Sequence, residues 1–329
     1  MITNMIPKVS VIIPIYNVEK YIERCVRSLM EQTLQEIEYI FVNDCTPDGS
    51  MEVLQRVLLE YPHRIQVKIV NHEVNKGLAT VRNTGLEASN GEYIICCDSD
   101  DWVEKNMYKE MYDKAQETDA DIVVSDFYNE YLSHSVIQRQ PFPNKGLEAV
   151  RQMLAGNLHC GTCNKLVRRE LYSKNDIHFP DGINMWEDVL TTIPLCYYAS
   201  NISYIPKAFY HYTQFNSNSY TQCVSECSLQ NMIEAVNQMG KFLFQKHLDK
   251  FDREFCFMKL TVKLNLLLNT NGIQQKIRSK MYPEANKYIF SYNSMSLYWR
   301  IGLKFVSWNL LILFNIMNVL KKRLQVYRK

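Results

Sequence analysis

The chain has 329 residues, 37 Lys and Arg against 35 Asp and Glu, and a formal net charge of +2. That balance excludes a bulk electrostatic footprint for nucleic acid; 47% hydrophobic and 22% charged residues are ordinary for a globular protein, and the length implies about two domains. Ten cysteines occur with no secretory leader in Met1–Ser10, so free thiols in a reducing, cytoplasmic compartment are expected.

Val9-Ser10-Val11-Ile12-Ile13-Pro14 is a β-branched run closed by proline and predicts a first strand. Asn17 opens a helix over Val18–Glu31 whose Tyr21, Ile22, Cys25, Val26 and Leu29 share one face. Glu38–Val42 predicts a second strand that runs into the breaker-rich turn Asn43–Ser50. Asp48 or Ser50 caps the helix that follows, to Glu60. Ile65–Val70 predicts a third strand, the segment after Asn75-Lys76-Gly77 a helix through Glu87, and Tyr93–Cys97 a fourth strand. Such alternation implies βαβ units, a mostly parallel sheet and a ligand crevice beyond the carboxyl ends of its strands.

Carboxylates sit at two of those ends. Asp44 follows the second strand, and Asp98, Asp100 and Asp101 follow the fourth. Three acceptor-only side chains within four residues repel one another unless a cation is shared among them. Hard ions such as Mg2+ or Mn2+ take such oxygens together with substrate phosphates. A solvated acidic turn is the bland alternative, and two carboxylate sites on one crevice weigh against it. No Gly-x-Gly-x-x-Gly fingerprint and no Walker loop is present, so phosphate charge has to be met by metal and basic side chains, for which Lys76 and Arg82 are placed.

After Trp102 a polar helix is expected to Thr118, then a strand over Asp121–Phe127, a loop or ragged hairpin from Asn129 to Lys145, and a helix over Gly146–Ala155. His159 and Cys160-Gly161-Thr162-Cys163, with Cys223 and Cys227 beyond, offer the ligand types of a zinc site, but the spacing between the pairs fits no common finger and weighs against it. Glu187-Asp188 opens an apolar helix, Val189–Ala199. Carboxylates there complement the helix dipole; an acid beside an aromatic at a crevice mouth is also what a general base requires. Tyr204-Ile205 and Phe209–Tyr212 predict two short strands, with His211 either packed among the tyrosines or a metal ligand. From Glu226 onward the pattern is helical. Ile301–Leu320 holds one charge, Lys304, in 20 residues, and Lys321-Lys322-Arg323 and Arg328-Lys329 follow. The length permits a span. Ser307, Asn309, Asn315 and Asn318 fit better a helix lying on a membrane surface with its basic end toward anionic head groups; burial within the protein is the alternative.

Five motifs stand in one order: Val9–Asn17, Val42–Ser50, Asn75–Asn83, Asp98–Trp102 and Glu187-Asp188. Together they closely resemble family 2 glycosyltransferases of the GT-A fold, of the kind that build bacterial capsule, exopolysaccharide or O-antigen. The likeness is strong over residues 7–105, extends to 221 and fades beyond. It implies an α/β fold, with a GT-A Rossmann-like, mostly parallel sheet flanked by helices and a C-terminal helical extension. Residues 1–105 would be the nucleotide-sugar-binding half, 106–225 the acceptor half, and 226–329 a helical region carrying the membrane-surface helix 301–320.

The resemblance also implies an activity: inverting transfer of a hexosyl or N-acetylhexosaminyl unit from a UDP-sugar to a hydroxyl of a lipid-linked saccharide. It implies Mn2+ or Mg2+ as cofactor and a place in the cytoplasm at the inner face of the membrane. Asp44 would meet uracil, with the backbone of Pro14 to Tyr16 lining the base pocket. Asp98 and Asp100 would contact ribose and metal, with Asp101 in support and His211 as a further candidate ligand. Arg82 would hold the ribose–diphosphate region, and Asp188 would deprotonate the acceptor. One departure stands out. Relatives often carry an Arg after the Tyr-rich strand and before a Ser-x-Thr element. Tyr212–Asn216 has none although Ser219-Tyr220-Thr221 is present, which leaves Lys207 or His211 to serve that loop. A sugar-1-phosphate nucleotidyltransferase would need a Gly-rich, Arg-containing loop where Val9–Asn17 has neither residue. A catalytically dead GT-A fold binding sugars or partners is the remaining rival, against which the intact Asp44, Asp100 and Asp188 stand.

Overall fold

The computed structural model describes residues 6–62, 66–216, 219 and 224–326. Its first half alternates as β1 (Val9–Ile15), α1 (Ile22–Met30), β2 (Ile37–Asn43), α2 (Ser50–Leu58), β3 (Val67–Asn71), α3 (Leu78–Ala88) and β4 (Tyr93–Cys96). There follow β5 (Trp102–Val103), α4 (Met107–Thr118), β6 (Ile122–Glu130), β7 (Ser135–Gln138), α5 (Gly146–Leu154), β8 (Lys165–Arg168), α6 (Arg169–Lys174), α7 (Glu187–Tyr198) and β9 (Ile202–Thr213). The strands form one sheet in the order β3-β2-β1-β4-β8-β6-β9-β5, with β7 paired to β6. Two compact units result, residues 1–150 with 158–223, and 151–157 with 224–329.

In the first unit the β-branched runs are buried along their whole length, as a strand covered on both faces requires. The α1 face Ile22, Cys25, Val26 and Leu29 packs into the same core as Val11, Ile13, Tyr39 and Ile95. β1 pairs parallel with β2 and β4, and β2 with β3. Ile15 stands beside Asn43 and Ile12 beside Cys96, so the chain leaves β2 at Asp44 and β4 at Cys97-Asp98 on the two sides of the β1 terminus. From β4 to β8 the pairing turns antiparallel, and the rest of the sheet is mixed.

Several boundaries differ from the sequence expectation, each for a local reason. α1 begins at Ile22 because Asn17 is left-handed (φ 55°) and Val18–Tyr21 form a turn first. Two residues after Asp101 form β5 on β9 before α4 begins. The two short strands foreseen around Phe209 are one twelve-residue strand, β9. Its register against β6 jumps from Ile205 to Ala208, skipping Pro206 and Lys207, of which the proline has no N–H to give a ladder.

The second unit holds α8 (Glu226–Gln245), α9 (Asp252–Leu268), α10 (Gly272–Ser279), α11 (Leu297–Ser307) and α12 (Leu311–Val326). Leu260, Leu264, Leu267, Ile289, Leu303, Val306 and Phe314 share its core. The single helix foreseen over 301–320 is instead α11 and α12. The break falls at Asn309, whose left-handed φ of 62° lets Leu310 N–H donate back to Phe305 O at 2.9 Å. Among the described residues no helix is long and apolar enough to cross a membrane. Ile65, Tyr220, Thr221, Cys223, Arg328 and Lys329 lie outside the described residues.

Candidate active site

Asp44 is buried just past β2. Its Oδ1 accepts from His72 Nδ1 and Lys76 N–H, and its Oδ2 from Gly77 N–H, all at 2.8 Å. A carboxylate has about four acceptor positions, so one remains. Gly77 belongs there: its φ of 87° is a conformation L side chains avoid, and a Cβ would lie 2.4 Å from Asn184 Nδ2. The Lys76 side chain is exposed, and its part is played by its backbone N–H. Beside Asp44, Pro14 is buried with its carbonyl accepting from Ser99 Oγ at 2.6 Å, and Tyr16 is exposed at the β1 terminus.

The three acids past β4 do not converge. Asp101 is fully buried; it accepts from Tyr210 OH at 2.5 Å and Thr213 N–H at 2.7 Å, and burial followed by the charges of Asp100 and Asp98 pushes its pKa well up. It therefore ties β9 to the cluster. Asp98 and Asp100 stay partly open. Asp98 Oδ1 is held by Arg82 and Asp100 Oδ2 by Asn216, at 2.9 and 2.8 Å, leaving one oxygen of each without a partner among the described residues. Burial and then the Asp98 charge push the Asp100 carboxyl up to about 6. A divalent cation offsets that kind of repulsion, and two free carboxylate oxygens completed by diphosphate and water fit Mg2+ or Mn2+. Among the described residues no three His, Cys, Asp or Glu side chains gather around one point.

His211 is elsewhere engaged. Its nitrogens meet Glu130 at 2.7 Å and Glu104 at 3.1 Å, and its ring is stacked between Trp102 and Tyr128. Lys207 is paired with Glu110. Besides Arg82, a cation that reaches the acidic cluster is Arg24 on α1, which sequence reading did not single out. Its guanidinium lies 3.4 Å over the Trp102 ring and donates to Asp100 O and Thr213 Oγ1.

Arg82 joins the two ends of the site. Only 4% exposed, it donates to Asp98 Oδ1 past β4 and to Glu187 Oε1 at 2.5 Å in the first turn of α7. Both ends of its guanidinium are spent on these carboxylates, which lift its pKa well above normal against the burial that lowers it. Burial pushes the Glu187 carboxyl up while Arg82 pulls it down. The preceding Trp186 is left-handed at φ 71°, a strained setting of the kind found where a site over-determines the backbone. Asp188 is partly exposed; its Oδ1 accepts from Val189 N–H at 2.8 Å, and Oδ2 has no partner among the described residues. Arg82 thus sets a free carboxylate, Asp188, one residue from the bridge to the acidic strand tip. Glu187, Asn216, Tyr210 and His72 do this supporting work with no local sequence signal beyond the Glu187-Asp188 pairing.

The family profile described as "Glycosyl transferase family 2" matches residues 10–175. The chain is 32% identical to the uncharacterized glycosyltransferase EpsJ of Bacillus subtilis over 255 residues, 74% of this chain and 71% of that protein. It is 31% identical to the cholesterol galactosyltransferase of Borreliella burgdorferi over 296 residues, 84% of this chain and 80% of that protein. Among solved structures, S. aureus TarS 1-349 in complex with UDP-GlcNAc superposes with a TM-score of 0.70 at 20% identity, covering 96% of this chain and 92% of that one.

Proposed function

The chain belongs to glycosyl transferase family 2 and has the GT-A fold, and from that premise we propose that it moves a hexosyl or N-acetylhexosaminyl unit from a UDP-sugar to a hydroxyl of a saccharide acceptor, with inversion. The observation that carries this reading is the Asp98–Arg82–Glu187 bridge, which brings the acidic strand tip and the Asp188 carboxylate to one site. Asp44, with its remaining acceptor position, meets the uracil N–H beside Pro14 and Tyr16. Asp98 and Asp100 meet ribose and diphosphate. Arg82, buried between two acids, positions them rather than gripping phosphate, and Arg24, at the Asp100 end of the cluster, would offer a positive charge to the leaving diphosphate. Bound Mn2+ or Mg2+ held by Asp98 and Asp100 would supply charge to offset the departing diphosphate. Asp188 accepts the acceptor hydroxyl's proton as that oxygen bonds to the anomeric carbon from the face opposite UDP, and the bond to the UDP oxygen breaks.

UDP as nucleotide is supported by the TarS complexes with UDP and UDP-GlcNAc, and a polyhydroxylated polymer acceptor by the name of the TarS relative, a poly(ribitol-phosphate) beta-N-acetylglucosaminyltransferase. Work at a membrane surface, and with it an acceptor bound to lipid, is supported by the exposed apolar stripe of α12 and the basic residues at its end; a place in surface-polysaccharide synthesis rests on the motif resemblance. Asp188→Asn tests the core of the reading. Turnover of the UDP-sugar should fall by about 10²–10⁴, the usual worth of a general base, with UDP affinity by calorimetry unchanged. Parallel loss of UDP affinity would show Asp188 to be a nucleotide-site residue instead.

A further inference from the structure

The loop His159–Asn164, ahead of β8, takes no part in the roles given above, yet the first unit fixes it at every turn. His159 N–H donates to Gln140 Oε1 at 2.8 Å. The Lys165 ammonium, 1% exposed, donates to His159 O at 2.9 Å, Gly161 O at 2.6 Å and Asn164 Oδ1 at 2.9 Å, which uses all three of its protons. Cys160 O accepts from Thr192 Oγ1 at 2.7 Å. Thr192 stands four residues after Asp188 on α7, hence on the same helix face. The loop is pinned to the face that bears the proposed base, and the Asp188 charge acts on both His159 and Cys160.

The imidazole itself is held in one orientation. It packs against Phe127 with centroids 5.2 Å apart, and its Nδ1 accepts from Gly161 N–H at 3.0 Å. Gly161 permits this approach, since a Cβ there would lie 2.3 Å from His159 Cε1. Nδ1 as acceptor places the proton of the neutral ring on Nε2. Burial first, then the Lys165 charge, holds the His159 pKa down to about 4, so the ring is neutral at physiological pH. Its Nε2–H has no partner among the described residues. A neutral, oriented N–H suits a hydroxyl rather than a phosphate.

We propose that His159 is a sugar-positioning residue whose Nε2–H donates to a ring hydroxyl of the saccharide beside Asp188. This rests on the reading of Asp188 as base. The hydroxyl belongs either to the transferred sugar or to the acceptor, and the two sources separate experimentally. Full-length wild type, His159→Ala and His159→Gln (which restores an N–H near the Nε2 position) would be titrated with UDP, UDP-glucose, UDP-galactose and UDP-GlcNAc. Release of UDP from each nucleotide sugar would be followed with water and with methyl glycosides of glucose, galactose and N-acetylglucosamine as acceptors. For His159→Ala we expect UDP affinity unchanged and a loss of about tenfold in a sugar-dependent arm, the size of one hydrogen bond, with recovery in His159→Gln. Loss in UDP-sugar affinity or hydrolysis assigns the hydroxyl to the donor; loss confined to transfer assigns it to the acceptor. His159→Ala matching wild type in every arm, or losing UDP affinity equally, overturns the proposal. Asp188→Asn run beside it keeps the two readings apart. If that variant still turns over, the base assignment fails; if it is silent while His159→Ala behaves as wild type, only the His159 assignment fails.

Discussion

Charged side chains in the first unit are kept buried by being shared. Arg82 lies between Asp98 and Glu187, Lys165 among two carbonyls and an amide, and Asp101 between a tyrosine hydroxyl and a backbone N–H. Removing one partner of such a group leaves an uncompensated charge, a loss of about 3–5 kcal/mol in comparable cases. His159, packed beside Lys165 and neutral at physiological pH, is a group of this unit that titrates in an accessible range. Its folded pKa of about 4 lies below the ordinary 6.5, owing to burial and then Lys165. Between those values the unfolded chain binds the extra proton and the folded chain does not, so stability rises with pH. The contribution is fully present above 6.5 and is lost as pH falls toward 4. At pH 5 the wild type should have lost about 2 kcal/mol relative to pH 7.5 through this group, by the same linkage. Urea melts of wild type and His159→Gln at both pH values check it: the Gln variant should lose less by that amount, and identical pH slopes would sink the claim.

Elements whose signal is local were legible from sequence. The apolar runs of β1, β2 and β4 and the acids that follow them are contiguous stretches, so both the parallel sheet and the crevice acids could be read. What could not be read is pairing across long separations: Asn216 with Asp100, Tyr210 with Asp101, Arg24 with Thr213, His72 with Asp44. No spacing rule encodes such contacts; they exist only once β9 and the helix ends have been folded onto the cluster. The break between α11 and α12 illustrates the converse, since hydropathy runs through Asn309 while its backbone does not. The entry to α3 combines both kinds of information. Gly77 has φ 87° and ψ 161°, its N–H holds Asp44, and Asn184 from the segment before α7 closes over it and accepts from Ala79 N–H at 3.1 Å. Gly77→Ala should cost about 1–3 kcal/mol for the backbone alone, with Asn184 displaced besides. A fall of several degrees in Tm, together with weaker UDP binding through Asp44, is the expected result. An unchanged Tm would mean that the loop relaxes freely and that Gly77 is not what shapes this corner.

At the scale of the whole molecule, the C-terminal hairpin poses the question of where the protein works. Phe314 on α12 is fully buried with Leu303 and Val306 of α11, so one side of the helix belongs to the second unit's core. The other side carries Ile312, Ile316, Val319, Leu320 and Leu324, each at least half exposed and spaced as a single helical stripe. Lys322 and Arg323 are exposed at its end, and Lys321 reaches over Trp299 at 4.4 Å. α10 is joined to this helix by reciprocal amide bonds between Gln275 and Asn315, and it adds exposed Ile273 and Ile277. An apolar stripe ending in a basic cluster is the pattern of a helix that lies in an anionic membrane surface. Deleting residues 301–329 would be a poor test, because it also removes Leu303, Val306 and Phe314 from the core. Combining Ile312→Ser, Ile316→Ser and Leu320→Ser changes only exposed positions and should leave Tm where it is. If each side chain gives up about 1 kcal/mol of interfacial burial, partitioning onto vesicles falls about a hundredfold. Sedimentation of the full-length chain with phosphatidylglycerol-containing vesicles would be compared with phosphatidylcholine alone, where binding should be weaker by about 1 kcal/mol per basic residue engaged. A serine variant that sediments as well as wild type would remove α12 from the membrane and leave its apolar stripe to a protein partner.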